Sequence, residues 1–139
     1  MTGGIVRFTV AHWCVLIAAL LPLACALLAK WQGVGKRRSE GGFDNRDPRA
    51  WLAQQQGFSA RANAAQANSF EALPFFIGAV VIAHQLGAHQ TIVDILAVVF
   101  ITLRIVYVAM YVADMPRTRS AIWSLALLVN VAILFAGWR

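Results

Sequence analysis

Residues 61–83 read RANAAQANSFEALPFFIGAVVIA. The first half is polar enough for a helix in water, and the second is apolar enough for lipid. Arg61, Asn68 and Glu71 place a cation, an amide and a carboxylate at the mouth of the hydrophobic part. Charged groups that face lipid cost several kcal/mol, so they are paired, covered by protein or functional. Read as one continuous helix, the segment has to cross between two solvents.

The remainder of the chain agrees with lipid as the main solvent. Of 139 residues, 60% are hydrophobic and 13% are charged, and the mean hydropathy is +0.65. A soluble domain carries about twice that share of charge. The length suits one domain, residues 1–139. Four stretches are long enough to cross a bilayer: about 10–30, 69–88, 92–113 and 120–138. The expected fold is therefore an all-α integral membrane bundle of four transmembrane helices. The run VLIAALLPLACALLA (15–29) is too long for a cleavable signal and is followed by Lys30 and Trp31. Pro22 falls within it, which neighbouring helices can tolerate by covering the freed carbonyl.

Net charge is +6, yet the basic residues flank apolar runs and do not line one soluble face. That excludes nucleic acid as the natural reading and favours anionic lipid headgroups. The connection from Lys30 to Arg61 carries Lys30, Lys36, Arg37, Arg38, Arg46, Arg49 and Arg61; the third connection carries Arg117 and Arg119. The second connection, GAHQ, has no Lys or Arg. The positive-inside rule puts the first and third loops in the cytoplasm and both termini outside.

Within the first loop, about residues 31–47, GVGKRRSEGGFDNRD is Gly-rich and charged and is expected to be mobile. Asp47-Pro48 reads as an N-cap with proline at the first helical position. One long second helix is expected from there into the bilayer, with an interruption at Gly57 and a kink near Pro74. Cys14 and Cys25 lie eleven residues apart on one helix and cannot bridge each other. His12, His84 and His89 show no metal-ligand spacing and read as interface or loop residues. Tryptophans near span ends fit an aromatic belt, and Asn130 reads as an interhelical hydrogen-bond group.

Arg61, Asn68 and Glu71 share a helix face, as do Arg104, Tyr107 and Tyr111, with Asp114 one turn further. The two spans run antiparallel, which brings Glu71 and Tyr111 to the same membrane edge. Arg104 lies about 10–15 Å deeper and should face the bundle interior. Its expected counter-charge is Glu71, with Asp114 second. The pattern alone leaves two readings open. One is a polar network that fixes helix packing; the other is an anion-binding cavity closed by Arg117, Arg119 and Ser120.

R-x6-N-x2-E-x2-P-F, at Arg61, Asn68, Glu71, Pro74 and Phe75, resembles the second-helix signature of the MAPEG family, the membrane-associated proteins in eicosanoid and glutathione metabolism. Arg104, Tyr107 and Tyr111, followed by Arg119-Ser120, are similar to its later pattern. The shortness of the chain resembles bacterial-type members, which implies an inner-membrane location. The resemblance further implies a homotrimer that binds glutathione between subunits near the cytoplasmic face. It assigns Asn68, Glu71, Arg61, Arg104, Tyr107 and Lys30 to holding glutathione. Arg119 would stabilise the thiolate, with Ser120 and Tyr111 supplying hydrogen bonds. The implied activity is a transferase or peroxidase acting on a lipophilic small molecule. The chain departs from many members at Ala64, where they carry a second arginine. A non-catalytic scaffold of the same fold and a small four-helix exporter are the rivals. The exporter needs an unpaired acid deep in a span, whereas Glu71 lies near the edge among arginines.

Overall fold

The computed structural model describes residues 7–139 of the chain. Five α-helices follow in order: α1 Val10–Lys30, α2 Pro48–Ala53, α3 Phe58–Gln85, α4 Gln90–Val112 and α5 Pro116–Phe135. Among the described residues α1, α3, α4 and α5 are long and apolar enough to cross a membrane. They run up, down, up and down as an all-helical bundle.

Small residues decide how closely the helices approach. The buried positions of α1 are Ala11, Cys14, Ala18, Pro22, Cys25 and Ala29. They recur in steps of three and four, the spacing of a left-handed helix seam. They meet α3 along a face that buries Ser59, Ala62, Ala65, Ser69, Ala79 and Ala83. In lipid, hydrophobic burial does not drive helices together; close backbone approach and dispersion do, and Ala, Ser and Cys permit it. Phe76 and Phe100 fill the bundle centre as a stacked pair with centroids 4.3 Å apart. Leu16, Leu20, Leu23 and Leu27 of α1 remain exposed, as a lipid-facing flank requires.

One end of the bundle gathers the start of α1, the end of α3, the start of α4 and the chain's C-terminus. Thr9 caps α1 through the His12 backbone N–H, and the Thr9 N–H donates to His12 Nδ1 at 3.0 Å, completing a capping box. His12 stacks on His84 at 4.3 Å, Thr9 Oγ1 lies 3.0 Å from His84 Nε2, and Asp94 accepts from the Ala11 N–H at 3.0 Å. The histidines thus lock helix ends together.

The opposite end carries the long connection, and there the structure departs from two expectations. A helix does begin at Pro48, but it does not continue into the bilayer. Asp47 caps α2 by accepting from the Ala50 N–H at 3.2 Å, but α2 ends after six residues. Gly57, at φ +63°, then starts α3 afresh. An L side chain adopts that conformation poorly, which is why the expected interruption falls there. The Gly-rich stretch is not an open tether either. Two 3₁₀ turns, Trp31–Gly33 and Arg38–Glu40, fold it over Trp51. Phe43 meets the Trp51 ring edge-on at 5.2 Å, and Trp51 Nε1 donates to the Gly41 carbonyl at 3.2 Å. The Phe43 N–H donates to the Gly33 carbonyl at 3.1 Å, and Arg38 pairs with Asp44 at 3.3 Å. A buried aromatic supplies the small core that glycine and charge content conceal. We call this segment the strap.

Candidate functional site

Helical spacing places the site residues. On α3, Asn68, Glu71, Ala72 and Phe75 lie at i, i+3, i+4 and i+7. Trp123, Ala126, Leu127 and Asn130 repeat that spacing on α5. The two faces oppose each other across Phe100 and Arg104 of α4, enclosing a crevice of about 160 Å³ at membrane depth. Toward the strap end, Asn68, Tyr107, Tyr111, Arg119, Ser120, Trp123 and Ser124 line a second, more open hollow of about 400 Å³. Asn68 and Trp123 border both. The site is thus two-chambered, with a polar, aromatic vestibule above an apolar crevice that holds a few polar groups.

Arg104 is only 3% exposed, as its depth required. Its partner is not the expected one. Arg104 Nη2 donates to Asn68 Oδ1 at 2.7 Å, and the guanidinium lies 4.4 Å from the Tyr107 ring centroid. No ion pair joins it to Glu71 among the described residues. Glu71 borders the same crevice but is exposed on the outer side of α3. Asp114 is out of reach for a local reason: it turns α4 into α5 in the left-handed conformation at φ 59°, exposed. A charge-assisted amide bond and a ring face therefore replace the carboxylate.

Arg119 lies over Tyr111, 4.1 Å from the ring centroid. This holds the cation at the vestibule wall, with Ser120 beside it. Tyr107 meets Tyr111 edge-on at 5.8 Å, so two adjoining rings lie between the Arg104 and Arg119 cations. Arg61 and Lys30 stand apart from both chambers. Arg61 Nε donates to the Val112 carbonyl at 3.1 Å, tying α3 to the end of α4. Lys30 lies 4.9 Å from the Phe43 centroid in the strap.

The chain matches the sequence model of the MAPEG family over residues 10–138. It belongs to the MAPEG family. This is an integral membrane protein of a family that includes glutathione transferases and peroxidases. Neither a curated protein nor a solved structure matches the chain.

Two residues that line the chambers were not evident as such in the sequence. Trp123 reads there as a belt residue, yet it borders both chambers. Asn130 reads as an interhelical bonding group, yet its Oδ1 is buried without a hydrogen-bond partner. The signal that could have found them is the repeated spacing of 68, 71, 72, 75 and 123, 126, 127, 130, two semi-polar faces of equal length.

Proposed function

We propose that this MAPEG protein is a glutathione-dependent transferase or peroxidase that acts on lipophilic electrophiles and works as a homotrimer. The observation that carries the reading is the pair of joined chambers, one polar and open at the strap end, the other apolar at bilayer depth. A tripeptide thiol and a lipid-soluble electrophile need that division. Glutathione has two carboxylates and an amine. Arg104 on the crevice wall complements a carboxylate and Glu71 complements the amine, whereas Arg61 and Lys30, held at the Val112 carbonyl and the Phe43 ring, lie outside the chambers and take no part in this grip.

A free thiol has a pKa near about 8.5 and is mostly protonated at neutral pH; an adjacent guanidinium favours the thiolate. Arg119, fixed on Tyr111 within the vestibule wall, is the cation in position to do so. The proton leaves to solvent, the sulfur lone pair forms a bond to the electrophilic carbon, and the leaving group departs with the displaced pair. Ser120 and Tyr111 supply hydrogen bonds to the sulfur. The basic strap and the Arg117–Arg119 turn support a vestibule on the cytoplasmic side, by the positive-inside rule. The exposed Glu71 and Phe70 flank of α3 supports the trimer, since a carboxylate in a span is costly against lipid unless another protomer covers it.

A non-catalytic scaffold is the second reading. It draws on the same wall of stacked cations and rings, which packs helices without any ligand. The separating measurement is the thiolate absorbance of glutathione bound to detergent-purified protein. A thiolate band at neutral pH supports the enzyme; no binding leaves the scaffold.

A further inference from the structure

His12 occupies the third position of α1, where a capping box ordinarily carries Glu or Gln. Its Nδ1 accepts from the Thr9 N–H at 3.0 Å, so that nitrogen carries no proton while the box is closed. The His84 ring is arranged the other way round. Its Nδ1 lies 2.7 Å from the Val80 carbonyl, which can only accept, so the proton of a neutral ring sits there. His84 Nε2 is left to accept from the Thr9 hydroxyl at 3.0 Å.

The two rings therefore take up protons at unequal cost. A proton on His84 Nε2 points at Thr9 Oγ1, which turns its own hydrogen aside and accepts. The exposed Gln90 amide, 3.3 Å from that nitrogen, swings fully to Asp94, which it already reaches at 2.8 Å. The cap survives. A proton on His12 Nδ1 instead meets the Thr9 N–H, donor against donor, and the box has to open. The rings are stacked with centroids 4.3 Å apart, so a second cation is also opposed by the first. Asp94 of α4 is the one carboxylate side chain at this end among the described residues, and it already accepts from the Ala11 N–H at 3.0 Å. It balances one cation and not two. Arg7 before α1, His89 at the start of α4 and Arg139, whose guanidinium donates to the Gly87 carbonyl at 3.5 Å, bring no negative charge. From Ser120 to the end of α5 there is no charged residue.

We infer that this end of the bundle is a proton-operated latch: the His12–His84 pair holds one proton with the α1 cap closed, and a second, on His12, opens the cap and loosens the start of α1 from α3 and α4. Both protons come from solvent. The latch is shut above the ordinary histidine range, near about pH 6.5, and opens as pH falls below it. The positive-inside rule puts this end outside, so the latch responds to external acidity. Ala11 and Cys14 share a core with Phe76 and Phe100, and Phe100 borders the crevice, so the latch adjoins the packing that shapes it.

The test follows hydrogen exchange of the Thr9 and His12 amides in the full chain in micelles, each rate divided by its intrinsic value at that pH. Between about pH 7.5 and about pH 5, on either side of the histidine range, protection at these amides should fall about fivefold, the ratio one helix cap supplies. The amides of Ala79 and Val80 in α3 should keep theirs. His12→Gln, which offers the same acceptor but cannot titrate, should stay protected at both pH values. His84→Gln removes the opposing charge and should move the loss to lower pH. Constant protection in the parent, an equal loss in His12→Gln, an unmoved midpoint in His84→Gln, or a loss shared by Ala79 and Val80 would overturn the latch. The parent comparison needs no substitution, so it decides the matter even where a variant fails to fold. No thiol or lipophile is present, and the result is independent of the proposed activity.

Discussion

Replacing Asn68 by leucine removes the acceptor that Arg104 reaches at 2.7 Å. The guanidinium is 3% exposed, so bulk water does not simply take the place of the amide. A hydrogen bond to a charged group contributes about 1.5–3 kcal/mol, and a stranded buried charge adds a further penalty. Two features soften that penalty: the Tyr107 ring 4.4 Å away and the adjoining crevice, which can admit water. We expect Asn68→Leu to destabilise the protein by about 2–3 kcal/mol. Arg104→Leu should remove the need for the amide, so the double variant should recover about 1.5 kcal/mol of the summed losses. Glu71→Gln, at an exposed carboxylate with no ion pair to Arg104, should cost under about 1 kcal/mol. Reversible unfolding in mixed micelles of the parent, the three single variants and the two double variants that carry Arg104→Leu gives both cycles. A Glu71→Gln loss as large as that of Asn68→Leu, and non-additive with Arg104→Leu, would refute the pairing and restore the carboxylate as counter-charge.

Arg119→Leu should raise the pKa of bound glutathione thiol and move the thiolate absorbance curve to higher pH, with a smaller change in peptide affinity; superimposable curves would remove Arg119 from the chemistry. Thr9→Val deletes the side-chain cap of α1 and the contact to His84 and should cost about 1 kcal/mol in the same unfolding assay; an unchanged midpoint would contradict it. A Cβ at Gly42 would collide with the Lys36 carbonyl, so Gly42→Ala should open the strap and speed tryptic cleavage at Lys36, Arg37 and Arg38. Equal cleavage rates would show that the strap does not depend on that close approach. In sealed right-side-out vesicles a membrane-impermeant maleimide should label His89→Cys and spare Ser39→Cys, the reverse pattern placing the strap outside.

The fold was legible because its determinants are local. A run of about 20 apolar residues commits a segment to crossing the bilayer whatever its neighbours do, and the Asp47-Pro48 cap and the Gly57 break likewise act over one turn. The MAPEG membership was legible too, since Arg61, Asn68, Glu71, Pro74 and Phe75 form a pattern within one helix. That Arg104 faces the interior followed from the cost of a charge in lipid. Its partner did not follow, because that depends on the rotation and offset of α3 against α4. Asn68 and Glu71 are less than one turn apart, and a modest rotation exchanges them. The strap was misread for a related reason: its order comes from Phe43 and Trp51 meeting across a turn, a pairing that glycine and charge content cannot announce. The orphaned amide of Asn130 is the clearest such case. From the sequence alone it was one polar residue in a span, which any neighbour could satisfy. Only the packing of α3, α4 and α5 decided that none does, because a hydrogen bond is settled within a few tenths of an ångström and helix periodicity fixes no more than a face.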